Sequence, residues 1–222
     1  MRRAQEDVEP LTPAQVAAAD DLAFSNTARA WGSREIDVTA IERSARDFRG
    51  PSEVIPAVFV AVVSAVCAAL REVPMLNSRW TDGGIRVFKN IDVGIELPTG
   101  RGGRVVPVVR DADRLSLDEL GSALLAAARR GLSEEGTFTV GYSGAYGSTQ
   151  SRPLLHDGQA GIYHFGRVRQ MPRIAGDAIT VRSVAYGSLA FDHRILDGST
   201  SSRFQNLVKT RLESWAPENP GS

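Results

Sequence analysis

The sequence predicts an α+β sandwich, in which a mixed β-sheet packs against helices. Segments with strand-like alternation and segments with helical periodicity follow one another without a regular strand-helix repeat, which disfavours a doubly wound parallel sheet. The glycine-rich signal at 82–84 lies between two short apolar stretches and predicts a hairpin. A chain of 222 residues with 42% hydrophobic residues can bury one substantial core, so one domain is expected.

Charge and cysteine content exclude several classes of function. Lys plus Arg and Asp plus Glu both number 26, so no net field attracts nucleic acid or an anionic membrane. The one cysteine, Cys67, lies in an apolar stretch and is expected to be a small core side chain rather than a disulfide partner. Pro56 and Ser64 interrupt the longest apolar run, and no secretory signal is visible, so we expect a soluble, cytoplasmic protein.

Both ends of the chain are predicted to be flexible. Residues 1–10 carry many charges and little apolar surface, and residues 216–222 are similarly polar. The folded domain is therefore expected to span residues 11–215. Its first predicted element is a helix that includes residues 14–24. Thr12 would be its N-cap, and Pro13 would occupy the first helical position.

Periodicity and capping signals predict one central helix and three other helices. The run from Val58 to Leu70 is apolar on nearly every face, which predicts a buried central helix that Pro74 ends. Ser116 begins a capping box for a helix that ends at Arg129 and Arg130. The other two predicted helices are 41–48, capped by Thr39, and 199–213.

Alternating or β-branched stretches predict the strands. Ile91 to Leu97 alternates strictly, which predicts a strand with one covered face. Pro107 is expected to limit the strand 105–109 to a sheet edge, a bulge or a break in the ladder. The predicted strands are 35–38, 77–80, 85–88, 91–97, 105–109, 137–140, 160–168 and 179–191.

The stretch Phe191–Gly198 is the best candidate site. His193 is the side chain best suited to proton transfer near neutral pH, and it follows a predicted strand. Asp197 could orient the imidazole, order a loop or stabilise the N-terminus of the last helix. The alternative is a structural histidine satisfied by a carboxylate. A metal site is disfavoured because His156 and His164 lack ligand-like spacing with His193.

The residues Asp192-His193-Arg194-Ile195-Leu196-Asp197-Gly198 resemble the H-x-x-x-D-G motif of the catalytic domain of 2-oxo acid dehydrogenase acyltransferases, the dihydrolipoamide acyltransferases, which share their fold with chloramphenicol acetyltransferase. Four more blocks look like successive blocks of that family, in its order. They are Val73-Pro74-Met75-Leu76-Asn77, Ile91-Asp92-Val93-Gly94-Ile95, residues 105–113 and Gly136-Thr137-Phe138-Thr139-Val140. Together they cover residues 35 to 213.

The resemblance implies transfer of an acyl group from acyl-CoA in a homotrimer, with each site between two subunits. Acyl-CoA, and preferentially acetyl-CoA, would be a co-substrate, and no cofactor would be bound permanently. His193 would be the general base for direct transfer without an acyl-enzyme. Asp197 would hold the active-site loop through an arginine, and Gly198 would help to line the substrate site.

The sequence departs from the family where a serine is expected. Family members have roughly F-T-I-S-N-L-G, whereas here Gly141 follows Val140 and the next serine is Ser143. Ser143 would face the same side as Gly141 if the strand continues, and it is then a candidate donor to the tetrahedral oxyanion. Tyr142 or a backbone N–H freed by Gly141 could serve instead, and Gly141 and Tyr142 are expected to line the substrate site.

A second departure concerns the partner of Asp197. The first predicted helix, 12–24, contains no arginine, although the family's is arginine-rich. Arg29 or Arg194 could replace the usual partner.

Two absences suggest the biological role. The chain begins almost at the catalytic domain, without a lipoyl domain, and 215–222 lacks the apolar tail that docks trimers into larger cores. We therefore expect a free trimer that transfers an acetyl group to a hydroxyl of a small-molecule or carrier-bound natural product, such as a tetronate. The alternatives are a lipoyl acyltransferase domain of a 2-oxo acid dehydrogenase complex and a catalytically impaired trimeric scaffold.

Overall fold

The computed structural model describes five stretches of the chain, which are residues 6–10, 29–44, 55–99, 103–156 and 158–215. The helix predicted at 14–24 and the tail at 216–222 lie outside these stretches.

Strands and helices alternate irregularly along the described chain, which confirms the predicted α+β class. The strands are β1 (Glu6–Glu9), β2 (Arg29–Asp37), β3 (Ser78–Thr81), β4 (Gly84–Phe88), β5 (Val93–Thr99), β6 (Gly103–Val105), β7 (Val108–Val109), β8 (Phe138–Tyr142), β9 (Gly161–Phe165), β10 (Arg169–Ala175) and β11 (Ala178–Asp192). The α-helices are α1 (Thr39–Ser44), α2 (Ala57–Glu72), α3 (Leu117–Arg130) and α4 (Gly198–Glu213).

The strands form one large mixed sheet and one small sheet. The large sheet has the order β10-β11-β9-β8-β5-β6, with β2 beside β11 and β7 beside β5. Strands β5, β8 and β9 run parallel to one another, and the remaining pairs are antiparallel. The small sheet has the order β1-β4-β3 and contains the predicted hairpin. The long strand β11 therefore joins three neighbours and ends at the candidate site.

Helix α2 is the centre of the core, as its apolar sequence predicts. Its residues from Ala57 to Leu70 are almost all buried, and Cys67 is buried among them. Helix α4 packs on the same side, because Phe204 contacts Phe138 and Tyr163 with ring centroids 6.0 and 6.1 Å apart. The helices therefore cover one face of the sheet. No helix in the described part of the chain is long and apolar enough to cross a bilayer.

Backbone breaks shape the sheet edges. Pro107 separates β6 from β7, because proline cannot donate to the ladder; a break was one of the three outcomes that the sequence allowed. Strand β10 was not predicted. A two-residue turn, Gly176-Asp177, links it to β11, with Ala175 paired to Ala178 and a positive φ of 61° at Gly176. A Gly-Asp pair between short strands is a recognised hairpin signal, so the sequence did contain the evidence for β10.

Two predictions for the first half of the chain need correction. Glu6–Glu9 was expected to be part of an unordered arm, but it pairs with Ile85–Phe88 as an edge strand. Main-chain hydrogen bonds can order such a segment with little apolar surface, a contribution that the composition does not reveal. Helix α1 begins at Thr39, whose N–H donates to the Asp37 side chain at 2.9 Å, so Asp37 rather than Thr39 provides the capping oxygen.

Helix α4 begins immediately after the candidate site and is capped by Asp197. The Asp197 carboxylate accepts hydrogen bonds from the Thr200 N–H at 2.7 Å and the Ser199 hydroxyl at 2.9 Å. These bonds lower the pKa of Asp197 to about 2, and the bond from the Thr200 backbone N–H contributes most. The cap fixes the direction in which the chain leaves the site.

We expect the Asp197 cap to make the stability of the protein depend on pH in acid. Because the folded-state pKa lies below the ordinary value of 3.8, the stabilisation is present above that value and is lost as pH falls through about 2. Urea unfolding of the wild type and of Asp197→Ala should therefore show a less stable variant at neutral pH, and the difference should shrink between these two pH values.

Asp197→Asn is the matched control, because asparagine caps a helix but does not titrate. We expect it to remain close to the wild type at neutral pH and to lack this acid dependence. Equal pH dependence in all three proteins would contradict the assignment.

Candidate active site

The turn that follows β11 carries His193 and is held by its own backbone. The N–H groups of Ile195 and Leu196 both donate to the Asp192 carbonyl oxygen, at 3.0 and 3.1 Å. Ile195 and Leu196 are buried, so the turn is anchored in the core. The chain therefore passes from strand to helix over a few fixed residues, with His193 first among them.

An ion pair between the buried Asp192 and the half-buried Arg194 stabilises this turn further. The Asp192 carboxylate accepts from the Arg194 backbone N–H at 3.0 Å and from the guanidinium Nε and Nη2 at 3.0 and 2.6 Å. Asp192 is only 6% exposed, and the pairing raises the pKa of Arg194. The guanidinium also lies 4.5 Å from the ring centroid of Trp80 in β3. The turn is thereby attached to the small sheet.

His193 lies on the surface of this rigid turn. Its ring contacts Phe191 with centroids 5.5 Å apart and an interplanar angle of 39°. The imidazole is exposed, and none of the described residues hydrogen-bonds to it. His193 is therefore not the structural histidine, satisfied by a carboxylate, that the sequence left open. Its side chain is exposed in the single chain and can therefore be reached by a substrate.

Asp197 is not paired as the family resemblance implies. Its carboxylate caps α4, and no arginine in the described ranges lies within ion-pair distance of it. Arg194, one suggested partner, binds Asp192, and Arg29, the other, is exposed at the start of β2. The correction has a physical reason, since an aspartate immediately before a helix satisfies free N–H groups at once. Gly198 is the exposed first residue of the same helix.

The residues around Gly141 lie elsewhere in the sheet. Strand β8 ends at Tyr142, and a 3₁₀ turn begins at Ser143, so the strand does not continue as the oxyanion prediction for Ser143 requires. The Ser143 hydroxyl lies 3.3 Å from the Phe165 carbonyl oxygen. The Tyr142 ring stacks between Phe59 and Phe165, with centroids 5.5 and 6.4 Å apart, and thus packs against the core.

One chain does not bring the two halves of the predicted site together. Gly141 pairs with His164, and His164 pairs with Ser188 of β11. His193 follows Ser188 by five positions, which corresponds to about 16 Å at roughly 3.3 Å per strand residue. His193 and the Gly141–Ser143 segment are therefore separated along the strand as well as across it.

A second polar group, which sequence reasoning missed, lies beside Gly141. The His164 ring nitrogens contact Glu96 Oε2 at 3.0 Å and Ser151 Oγ at 3.1 Å. A Cβ on Gly141 would come within 2.6 Å of His164 Cδ2, so the ring occupies the space of that side chain. The one sequence signal is the polar position of His164 between the apolar residues Tyr163 and Phe165. No three acidic, histidine or cysteine side chains among the described residues are placed to hold a metal ion.

Comparisons with known proteins agree with this fold. The lipoamide acyltransferase component of a branched-chain alpha-keto acid dehydrogenase complex from Bacillus subtilis is 32% identical over 220 residues, which are 92% of this chain and 52% of that protein. A probable dihydrolipoamide acetyltransferase from Listeria monocytogenes is similar with a TM-score of 0.78 and 31% identity, covering 97% of both chains. Chloramphenicol acetyltransferase matches with a TM-score of 0.66 at 12% identity over 94% of this chain and all of that one, which shows a shared fold.

The chain spans about half the length, or less, of the curated relatives it matches. The family model for the 2-oxoacid dehydrogenases acyltransferase catalytic domain matches residues 3–219, which is nearly the whole sequence. With the chloramphenicol acetyltransferase-like sandwich and the histidine at the end of its long strand, this match shows that the chain belongs to the 2-oxoacid dehydrogenase acyltransferase family.

Proposed function

We propose that this domain transfers an acyl group between CoA and a dihydrolipoyl thiol, with His193 as the general base. The observation that carries the proposal is the exposed imidazole of His193 on a rigid turn, in a member of an acyltransferase family. Relatives named as dihydrolipoyllysine-residue succinyltransferase and lipoamide acyltransferase support the choice of acceptor. This acceptor was the alternative in the sequence prediction.

The turn geometry suits proton transfer. Asp192 and Arg194 form an ion pair with each other, so neither competes with His193 for the proton of the acceptor thiol. The exposed ring nitrogen takes the S–H proton of the acceptor, and the thiolate attacks the thioester carbonyl of acyl-CoA. The tetrahedral intermediate collapses with cleavage of the carbon–sulfur bond to CoA, and the imidazolium returns the proton to the CoA sulfur. A positioned base of this kind contributes about 10²–10⁴-fold to the rate.

A neighbouring copy of the chain is proposed to complete the site. The separation of His193 from the Gly141–Ser143 segment within one chain supports this arrangement, as does the exposure of His193 on a surface turn. The predicted homotrimer would place the turn of one subunit against the sheet of the next. A site enclosed between two subunits would also exclude water from the thioester.

A hydroxyl acceptor, such as the predicted tetronate, has less support. Neither the family match nor the relatives described above name such a substrate. A hydroxyl needs more help from a base than a partly ionised thiol does, so His193 remains compatible with it chemically. The choice between the two acceptors is therefore an experimental one.

We expect His193→Ala to lower kcat for CoA formation from acetyl-CoA and dihydrolipoamide by about 10²–10⁴-fold, because the acceptor thiol loses its base. CoA should be quantified by chromatography, since dihydrolipoamide itself reacts with thiol reagents. His156→Gln is the matched control, because it removes another histidine outside the turn and should leave kcat near the wild-type value. Equal rates for the wild type and His193→Ala would refute the proposed base and favour a scaffold.

We expect the wild type to prefer dihydrolipoamide over hydroxyl acceptors in kcat/KM. The reason is that a thiol is partly ionised near neutral pH and is the stronger nucleophile. The comparison requires free dihydrolipoamide, a lipoylated domain and a tetronate with a primary hydroxyl, each with acetyl-CoA and with succinyl-CoA. Turnover with the tetronate alone would reverse the assignment of the acceptor.

A further inference from the structure

Three polar side chains form a chain of hydrogen bonds on the face of the sheet that the helices do not cover. Along β9, Tyr163 and Phe165 are fully buried against the helix layer, so His164 between them projects to the opposite face. Glu96 of β5 and Ser151, which follows β8 and its 3₁₀ turn, meet it there. The group lies beside the Gly141–Ser143 segment, because Ser143 Oγ is 3.4 Å from Ser151 Oγ, but the proposed acyl transfer assigns it no role.

The two contacts of His164 fit one tautomer of the neutral imidazole. A carboxylate can only accept, so His164 Nε2 carries the proton that it donates to Glu96 Oε2 at 3.0 Å. In the neutral ring Nδ1 is then an acceptor, and the Ser151 hydroxyl donates to it at 3.1 Å. Ser151 Oγ is thus polarised by a base that a carboxylate orients.

The fold builds this arrangement across three adjacent strands. The register aligns Glu96 with Gly141 and Gly141 with His164, so a residue lies between the carboxylate and the imidazole in the sheet. Only glycine leaves room there, because a Cβ on Gly141 would overlap the His164 ring. The ring consequently crosses over β8 and reaches Glu96 directly.

His164, Glu96 and Ser151 differ in their burial. The side chains of His164 and Glu96 are 13% and 16% exposed, so their hydrogen bond is sheltered from water and stronger than one on the surface. Ser151 is half-buried in an irregular stretch. A sheltered base-carboxylate pair beside a partly exposed serine has the pattern of an activated nucleophile.

We propose that Ser151 is a second catalytic nucleophile, which accepts an acyl group from an activated ester or thioester, with His164 as its base and Glu96 as the group that orients His164. The group does not include the His193 of its own chain, which lies about 16 Å further along the strand direction, at roughly 3.3 Å per residue. The proposal goes beyond the direct transfer assigned to His193 and needs no second subunit.

The proposed step is balanced. Ser151 Oγ forms a bond to the acyl carbon while its proton moves to His164 Nδ1, and Glu96 stabilises the resulting imidazolium. The bond from the acyl carbon to the leaving oxygen or sulfur breaks, and the leaving group takes the proton from Nδ1. Water then attacks the acyl-serine with His164 as base, which releases the carboxylic acid and restores the Ser151 hydroxyl.

A fluorophosphonate probe, which reacts with activated serines, tests the proposal directly. We expect the wild type to carry one adduct on the peptide that contains Ser151, identified by mass spectrometry. Ser151→Ala should not react, and His164→Gln and Glu96→Gln should react at least about 10²-fold more slowly, because the base is lost or misoriented. Ser148→Ala is the matched control, since this serine lies in the same loop and should leave labelling unchanged.

A second measurement uses p-nitrophenyl acetate, with circular dichroism to establish that each variant is folded. The wild type should show a burst of p-nitrophenol and gain one acetyl group on Ser151, and Ser151→Ala should show neither. His193→Ala should lose CoA-dependent transfer yet retain labelling, so failure of one centre is distinguishable from failure of the other. An unlabelled wild type, or equal labelling in His164→Gln, would overturn the proposal.

Discussion

The buried carboxylate of Asp192 holds the strand-to-helix turn on which the candidate site depends. A buried carboxylate is costly unless it is paired and hydrogen-bonded, so the structure draws Arg194 inward to meet it. Arg194 in turn lies over Trp80, which ties the end of β11 to the small sheet. His193, between the two paired residues, is left facing outward. Its position is thus set by an interaction in which it takes no part.

The elements that could be predicted from the sequence are those fixed by local chemistry. The central helix α2 is apolar on all faces, Ser116 forms both hydrogen bonds of the capping box of α3, and Gly83 lies in the turn of the predicted hairpin. Strand β1 could not be predicted, because its ordering comes from main-chain pairing with β4 rather than from its side chains. Strand β10 could have been predicted from the Gly176-Asp177 turn.

The candidate site also contains residues that local sequence predicts and residues that only the fold brings together. His193 and the cap at Asp197 follow from residues close in sequence, since Ser199 and Thr200 supply the hydrogen bonds that Asp197 accepts. An arginine partner for Asp197 is not found among the described residues and stays a prediction. The His164 group could not be predicted, since Glu96 is 68 residues and Ser151 13 residues from it. Only the strand register brings these three side chains together. The absence of a side chain at Gly141, which first suggested a lost donor, is what allows them to meet.

His193 is proposed to be the base for acyl transfer between CoA and an acceptor thiol, at a site completed by a second copy of the chain. The most direct measurement is a crystal structure of the protein with CoA bound. We expect the CoA sulfur within hydrogen-bonding distance of a His193 ring nitrogen, with the sheet of a neighbouring subunit closing the other side of the channel. CoA bound away from His193, or a His193 that faces solvent with no neighbouring chain, would contradict the account.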